Sequence, residues 1–174
     1  MEGFPKNIQA MSKIIEGIFF DAMLEGYANP KAEKAPFPGL PGSKSITYKD
    51  GDFTVIDCYF VREGSDASHG FTLITFKDVP IWIMRYGGWY KKEVIPFLKS
   101  ALMAAYRERQ FFGGRGPIQF MNEEKTLVYQ NSGDLYPFSN FHSSEQIRSI
   151  VDGKLLGFHE CSGGLFFDKT EKEG

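Results

Sequence analysis

Glu145, His159, Cys161 and Arg115 are the residues whose types and spacing suit chemistry. Glu145 is the lone acid in Ser143–Ile147. In a strand it shares a face with Ser143 and Ile147, because side chains alternate between faces. Facing inward, it is a raised-pKa acid or a hydrogen-bond acceptor for a ligand. Facing solvent, it is a polar strand residue. His159 and Cys161 also share a strand face. If a neighbouring strand brought His142, His69 or Cys58 alongside, the set would meet the nitrogen and sulfur preference of zinc. The spacing matches no recognised ligand pattern, and a pair of partly buried strand residues is the competing reading, so no metal and no cofactor is assigned. A Cys161 nucleophile needs an adjacent base or positive charge. His159, two residues away and parallel, does not supply one by itself. Catalysis, if present, falls to Glu145 as acid or base, with His159 or His142 assisting.

Arg115 lies in Gly113-Gly114-Arg115-Gly116-Pro117. Glycines let a backbone approach an anion closely, and a guanidinium fork suits carboxylate or phosphate. The alternative is a turn held by an arginine-to-carbonyl hydrogen bond. Trp82, Met84 and Tyr86 alternate along Val79–Gly88 and make an aromatic and thioether face that walls either an apolar pocket or the core. Trp82, Met84, Tyr86, Arg115 and Glu145 are the candidate ligand-binding residues. No P-loop, GxSxG or HExxH motif is present.

The elements that must position these groups follow from periodicity. Ile14, Ile15, Ile18, Phe19, Ala22 and Met23 recur at helical spacing, which predicts an amphipathic helix from about Asn7 to Tyr27, closed by Asn29-Pro30. Pro36–Gly42 is a proline- and glycine-rich loop, either a connector or a lid. Ser45–Asp50 and Phe53–Arg62 flank Asp50-Gly51, a hairpin signal, and His69–Phe76 and Val79–Tyr86 make a second hairpin across Lys77-Asp78. A central helix from Val94 to Arg109 carries Val94, Leu98, Ala101, Leu102 and Ala105 on its apolar face, with Arg107 and Arg109 at a solvated C-terminal end. Strands return at Ile118–Met121 and Thr126–Gln130, and Ser143–Val151 pairs with Lys154–Cys161 across Asp152-Gly153.

Val79–Gly88, a strand running into paired glycines, has a degraded echo in Lys154–Gly164, and Gly70–Ile74 aligns with Ser143–Ile147. Gly157, His159 and Cys161 then take the places of Trp82, Met84 and Tyr86, and the small Gly157 leaves space at a seam between units. The expected fold is α+β: two related antiparallel β units, each a pair of hairpins, with an N-terminal and a central helix. One domain spans 1–174, with its core at about 13–167 and a charged, frayed tail at 168–174.

Composition bounds the partners. Twenty basic and 22 acidic residues give a net charge of −2, too little to attract nucleic acid. No apolar run approaches the ~20 residues that span a bilayer, and residues 1–13 lack a leader pattern. Two cysteines without CxxC spacing read as free thiols of a reducing cytosol, hence a cytoplasmic protein. Seventeen Phe and eight Tyr exceed what two Trp would lead one to expect, and such a load serves strand packing and ligand pockets alike.

The ordered set Tyr48…Gly51-Asp52, Ile81–Gly88, Phe97–Leu102, Arg115-Gly116-Pro117, Asn131…Gly133-Asp134, Phe138…Glu145-Gln146-Ile147 and Gly163-Gly164 resembles a bacterial family catalogued as domain of unknown function 5680. The resemblance covers roughly residues 17–167. It implies a domain that stands alone or follows a helix-turn-helix module, for which no room exists before Gly17, and it brings no agreed activity. Where that family tends to carry Gly-x-Glu in the first unit, this chain has Gly70-Phe71-Thr72. Gly157, His159 and Cys161 replace large or aromatic residues in the second. The leading expectation is a small-molecule-binding or regulatory domain. A small hydrolase or isomerase using Glu145, and a protein-interaction module or homo-oligomer, are the alternatives.

Overall fold

The computed structural model describes residues 7–27, 34–133 and 137–166. The helix closure at Asn29-Pro30 and the tail at 168–174 lie outside them. Asn7 caps α1 (Ile8–Ala22), its side chain accepting from the Gln9 N–H at 2.8 Å, and a π-helical turn, Met23–Tyr27, extends it. The buried stripe is Met11, Ile15, Ile18, Phe19, Phe20 and Ala22. Ile14, expected in that stripe, is exposed, because the packed face is centred on Phe19.

Eight strands follow: β1 (Ser43–Asp50), β2 (Phe53–Val61), β3 (Ala67–Phe76) and β4 (Val79–Tyr90), then β5 (Gln119–Met121), β6 (Leu127–Asn131), β7 (Asn140–Ser149) and β8 (Leu155–Leu165). Between the sets lies α2 (Ile95–Glu108), entered through a 3₁₀ turn, Lys92–Val94, and closed by Arg109 in a left-handed conformation. The Arg109 side chain is not simply solvated, as expected for a helix end; it pairs with Asp21 and ties α2 to α1. Lys77 and Asp78 both have positive φ, the backbone that a two-residue hairpin between twisted strands requires.

The strands form one antiparallel sheet in the order β1-β2-β3-β4-β8-β7-β6-β5. Two four-stranded meanders therefore meet along β4 and β8. Their meeting line is a continuous ladder from Trp82↔Leu165 to Tyr90↔Gly157, not an open seam. The glycine pairs do not end the strands either: β4 runs through Gly87-Gly88 to Tyr90, and β8 through Gly163-Gly164 to Leu165.

The duplication read from sequence is visible in the register. Ile74↔Trp82 and Ile147↔Gly157 each precede a register shift, so Ile81 and Leu156 are equivalent bulge residues. By the same register Asp57↔Thr72↔Met84 in the first half matches Asn131↔Glu145↔His159 in the second. Each half thus buries one acid, on β2 in the first and on β7 in the second.

Trp82 and Met84 are fully buried among the aromatics under the helices. Trp82 stacks on Phe138 at 4.5 Å with 4° between planes, meets Phe141 and Phe19, and donates its indole N–H to the Phe138 carbonyl at 2.9 Å. Phe19 is ringed in turn by Phe20, Tyr106, Phe111 and Phe138. Such pairs contribute about 0.5–1.5 kcal/mol each beyond their area. The aromatic excess is spent largely on this core.

Candidate functional site

One rung crosses five strands: Ser68 on β3, Gly88 on β4, His159 on β8, Glu145 on β7 and Asn131 on β6. Laid over it is the glycine-rich segment after α2. The Glu145 carboxylate accepts from the Arg115 backbone N–H at 2.6 Å and from the guanidinium at 3.2 and 2.8 Å. Ser143 Oγ donates to the Gly113 carbonyl at 2.7 Å, and Asn131 Nδ2 donates to the carbonyls of Phe112 and Gly116. A Cβ on Gly114 would stand 2.7 Å from Ser143 Oγ, and one on Gly116 2.3 Å from Tyr129 Oη, so only glycine lets this loop lie so close to the sheet. The anion expected beside Arg115 is thus the protein's own Glu145.

The guanidinium also fixes a tautomer. Arg115 Nη2 lies 3.0 Å from His159 Nδ1, and Ser68 Oγ lies 3.2 Å from Nε2. Arginine only donates, so Nδ1 accepts and the imidazole proton is on Nε2, directed at Ser68. Burial, and then the Arg115 charge, push the His159 pKa down to about 2, so the ring is neutral. Ser68 accepts from His159 and keeps its own O–H to donate. This is the reverse of a serine activated by a basic histidine, in which Nδ1–H is donated to a carboxylate.

Tyr86 lies under Arg115, whose guanidinium carbon is 5.0 Å from the ring centroid, and Tyr90 packs on His159 at 4.7 Å. Tyr86 Oη donates to Asp57 Oδ1 at 2.8 Å, and Thr72 Oγ1 donates to the same oxygen at 2.9 Å. Asp57 Oδ2 has no hydrogen-bond partner among the described residues. Burial raises the Asp57 pKa above the ordinary range, against the lowering effect of those two hydrogen bonds. A carboxyl raised on folding stabilises the fold at low pH, and that contribution is lost as the pH climbs from about 4, the unfolded value, through the folded one. Denaturant unfolding between pH 4 and 7 should therefore show a smaller loss of stability with rising pH in Asp57→Asn than in the wild type. Equal slopes would show that Asp57 is ionised throughout.

Arg115, Ser68, Tyr86, Tyr90 and His159 form the floor of a cleft of about 600 Å³. Tyr59, Val61, Ile95 and Leu98 supply apolar wall, and Lys34, Lys44, Arg62, Lys92 and Lys99 line it together with Glu63 and Asp66. Of the residues expected to bind a ligand, Tyr86 and Arg115 reach this cleft. Trp82 and Met84 do not, being fully buried in the core. Glu145 is wholly buried behind Arg115 and does not line the cleft itself, while Tyr90, which does, donates to Glu145 Oε2 at 3.5 Å. Gly157 opens no space, because the Tyr90 ring fills it: a Cβ there would be 2.0 Å from Tyr90 Cδ1.

His159 and Cys161 do share a face, as expected, and both are buried. Cys161 Sγ lies 3.6 Å from Glu145 Oε1, and burial, then the Glu145 charge, push its thiol well above the ordinary value, the opposite of an activated nucleophile. His69 and His142 are exposed. Among the described residues no three His, Cys, Asp or Glu side chains gather to hold a metal, and no helix is long and apolar enough to cross a membrane.

Sequence reasoning missed Ser68, Tyr90, Asn131 and Asp57. Asp57 left a readable trace as a lone acid within Val55-Ile56-Asp57-Cys58. Tyr90 was hidden by ending the strand at the glycines. Comparison of the chain with protein-family models, with curated proteins and with solved structures returned no significant match.

Proposed function

We propose that this chain is a cytosolic small-molecule-binding domain whose ligand occupies the cleft over Arg115, Ser68, Tyr86, Tyr90 and His159. What carries the reading is that cleft, about 600 Å³ and within the range of drug-sized sites, over a charged side chain only 7% exposed. Arg115 is held by three hydrogen bonds to Glu145 and one to His159, so its position is set before any ligand arrives. Tyr59, Tyr86 and Tyr90 offer rigid, amphipathic contact area around it. Glu145 enters this reading as the group that positions Arg115, and His159 as a neutral donor to Ser68. Membership of the domain of unknown function 5680 family belongs to the same proposal and rests on the order of the motifs quoted above.

Amide chemical-shift mapping with a small-fragment library tests the assignment. Hits should converge on the amides of Ser68, Tyr90 and Ile95, and Ile95→Trp, which enlarges a half-buried wall residue, should abolish them while the fold persists. Fragments that shift amides only elsewhere would remove the cleft as the site.

A further inference from the structure

The geometry points to a ligand that is an organic oxyanion, a carboxylate or phosphomonoester on an apolar body. This inference rests on the cleft being the binding site and names the chemistry it takes. The first ground is what the hydrogen-bonding groups on the cleft floor have left to offer once Arg115, Tyr86 and Tyr90 have donated to the buried acids. Glu145 and Asp57, the acids beneath it, do not line the cleft. Each is covered by a donor that does: Glu145 by Arg115, and Asp57 by Tyr86. His159 could have offered a ring nitrogen as acceptor, but Arg115 occupies Nδ1 and the Nε2 proton is given to Ser68. That leaves the Ser68 hydroxyl proton for a ligand acceptor.

The second ground is the charge around the opening. Six basic side chains, Arg115 among them, against two acidic ones line the cleft, although the whole chain carries −2. On that lining Lys92 and Lys99 flank Ile95 and Leu98 near the start of α2, with Glu93 the one acid in the turn that enters it. Tyr59, Val61, Ile95 and Leu98 would bury the apolar body while Ser68 and the basic groups meet the head.

Four probes of one size separate the outcomes: benzoate, phenyl phosphate, benzamide and benzylamine, titrated against the full chain at low salt with amide shifts as readout. Benzoate or phenyl phosphate should bind at the Ser68, Tyr90 and Ile95 amides about tenfold tighter than benzamide, the worth of a charge-assisted hydrogen bond over a neutral one. Whichever of the two binds tighter tells carboxylate from phosphate. Lys92→Glu with Lys99→Glu should weaken the anion about tenfold and leave benzamide unchanged, and Ser68→Ala should weaken both anions. The two lysines are exposed, so the double variant should keep the wild-type thermal midpoint. Benzamide or benzylamine binding in the cleft as tightly as benzoate would overturn the oxyanion and leave the cleft reading standing. Failure of all four to perturb those amides would overturn both.

Discussion

Glu145→Gln should destabilise the protein by about 3–5 kcal/mol, the range seen when one member of a buried ion pair is removed and the other is left uncompensated. Glu145 is 0% exposed and Arg115 7% exposed, so both charges of the pair are largely removed from water. The glutamine keeps the size of the side chain but brings an amide donor to a position where the Arg115 N–H, Nε and Nη2 already donate. Gly113–Gly116 is pinned to the sheet by Ser143, Asn131 and Glu145, and the Glu145 contacts are the only charged ones in that set. The loop should therefore loosen together with the pair. Urea unfolding measures the loss. Adding Arg115→Gln to Glu145→Gln should restore part of it, since the double variant leaves no buried charge unpaired, with a coupling energy of about 1–3 kcal/mol. A loss below about 1 kcal/mol in the single variant would mean that the pair is solvated.

Gly88→Ala should cost on the order of 3 kcal/mol or more, through backbone strain and overpacking together. Gly88 has φ of +154° and pairs with both Ser68 and His159. A Cβ there would stand 2.0 Å from the Phe158 carbonyl oxygen and 2.8 Å from His159 Cδ2. The first of these is backbone of the neighbouring strand, so relief requires β4 and β8 to part where the two meanders join. For a chain of this size the thermal midpoint should fall by about 6–12 °C. Gly51→Ala is the contrast. Its φ is +54° but nothing lies within 4 Å of its Cβ, so only the turn strain of about 1 kcal/mol should appear. Equal losses at the two positions would show that close packing at the β4–β8 join is not what selects Gly88.

Local patterns carried most of the architecture. Hairpin turns at Asp50-Gly51 and Lys77-Asp78 follow from turn chemistry, both helices follow from apolar spacing, and the repeat was visible as Gly70–Ile74 against Ser143–Ile147. Arg115 and Tyr86 were singled out from sequence and line the cleft; Glu145 was singled out too and lies buried behind Arg115. Trp82 shows what phase leaves open: strand phase says that Trp82, Met84 and Tyr86 share a face, and they do, yet the first two are fully buried in the core and only the third lines the cleft. Phase is a property of one strand, whereas cover depends on elements far away in sequence.

The sequence by itself determined the elements, the α+β class and the duplication, because turns, helix faces and strand alternation depend on neighbours within a few residues. Tertiary structure alone decided that the two meanders share one ladder, that Arg115 answers Glu145 and His159 across 30 and 44 residues, and that the acids lie behind donors. Those outcomes turn on register between distant strands and on desolvation, which decides whether a carboxylate meets a guanidinium or water, and neither is written in local spacing.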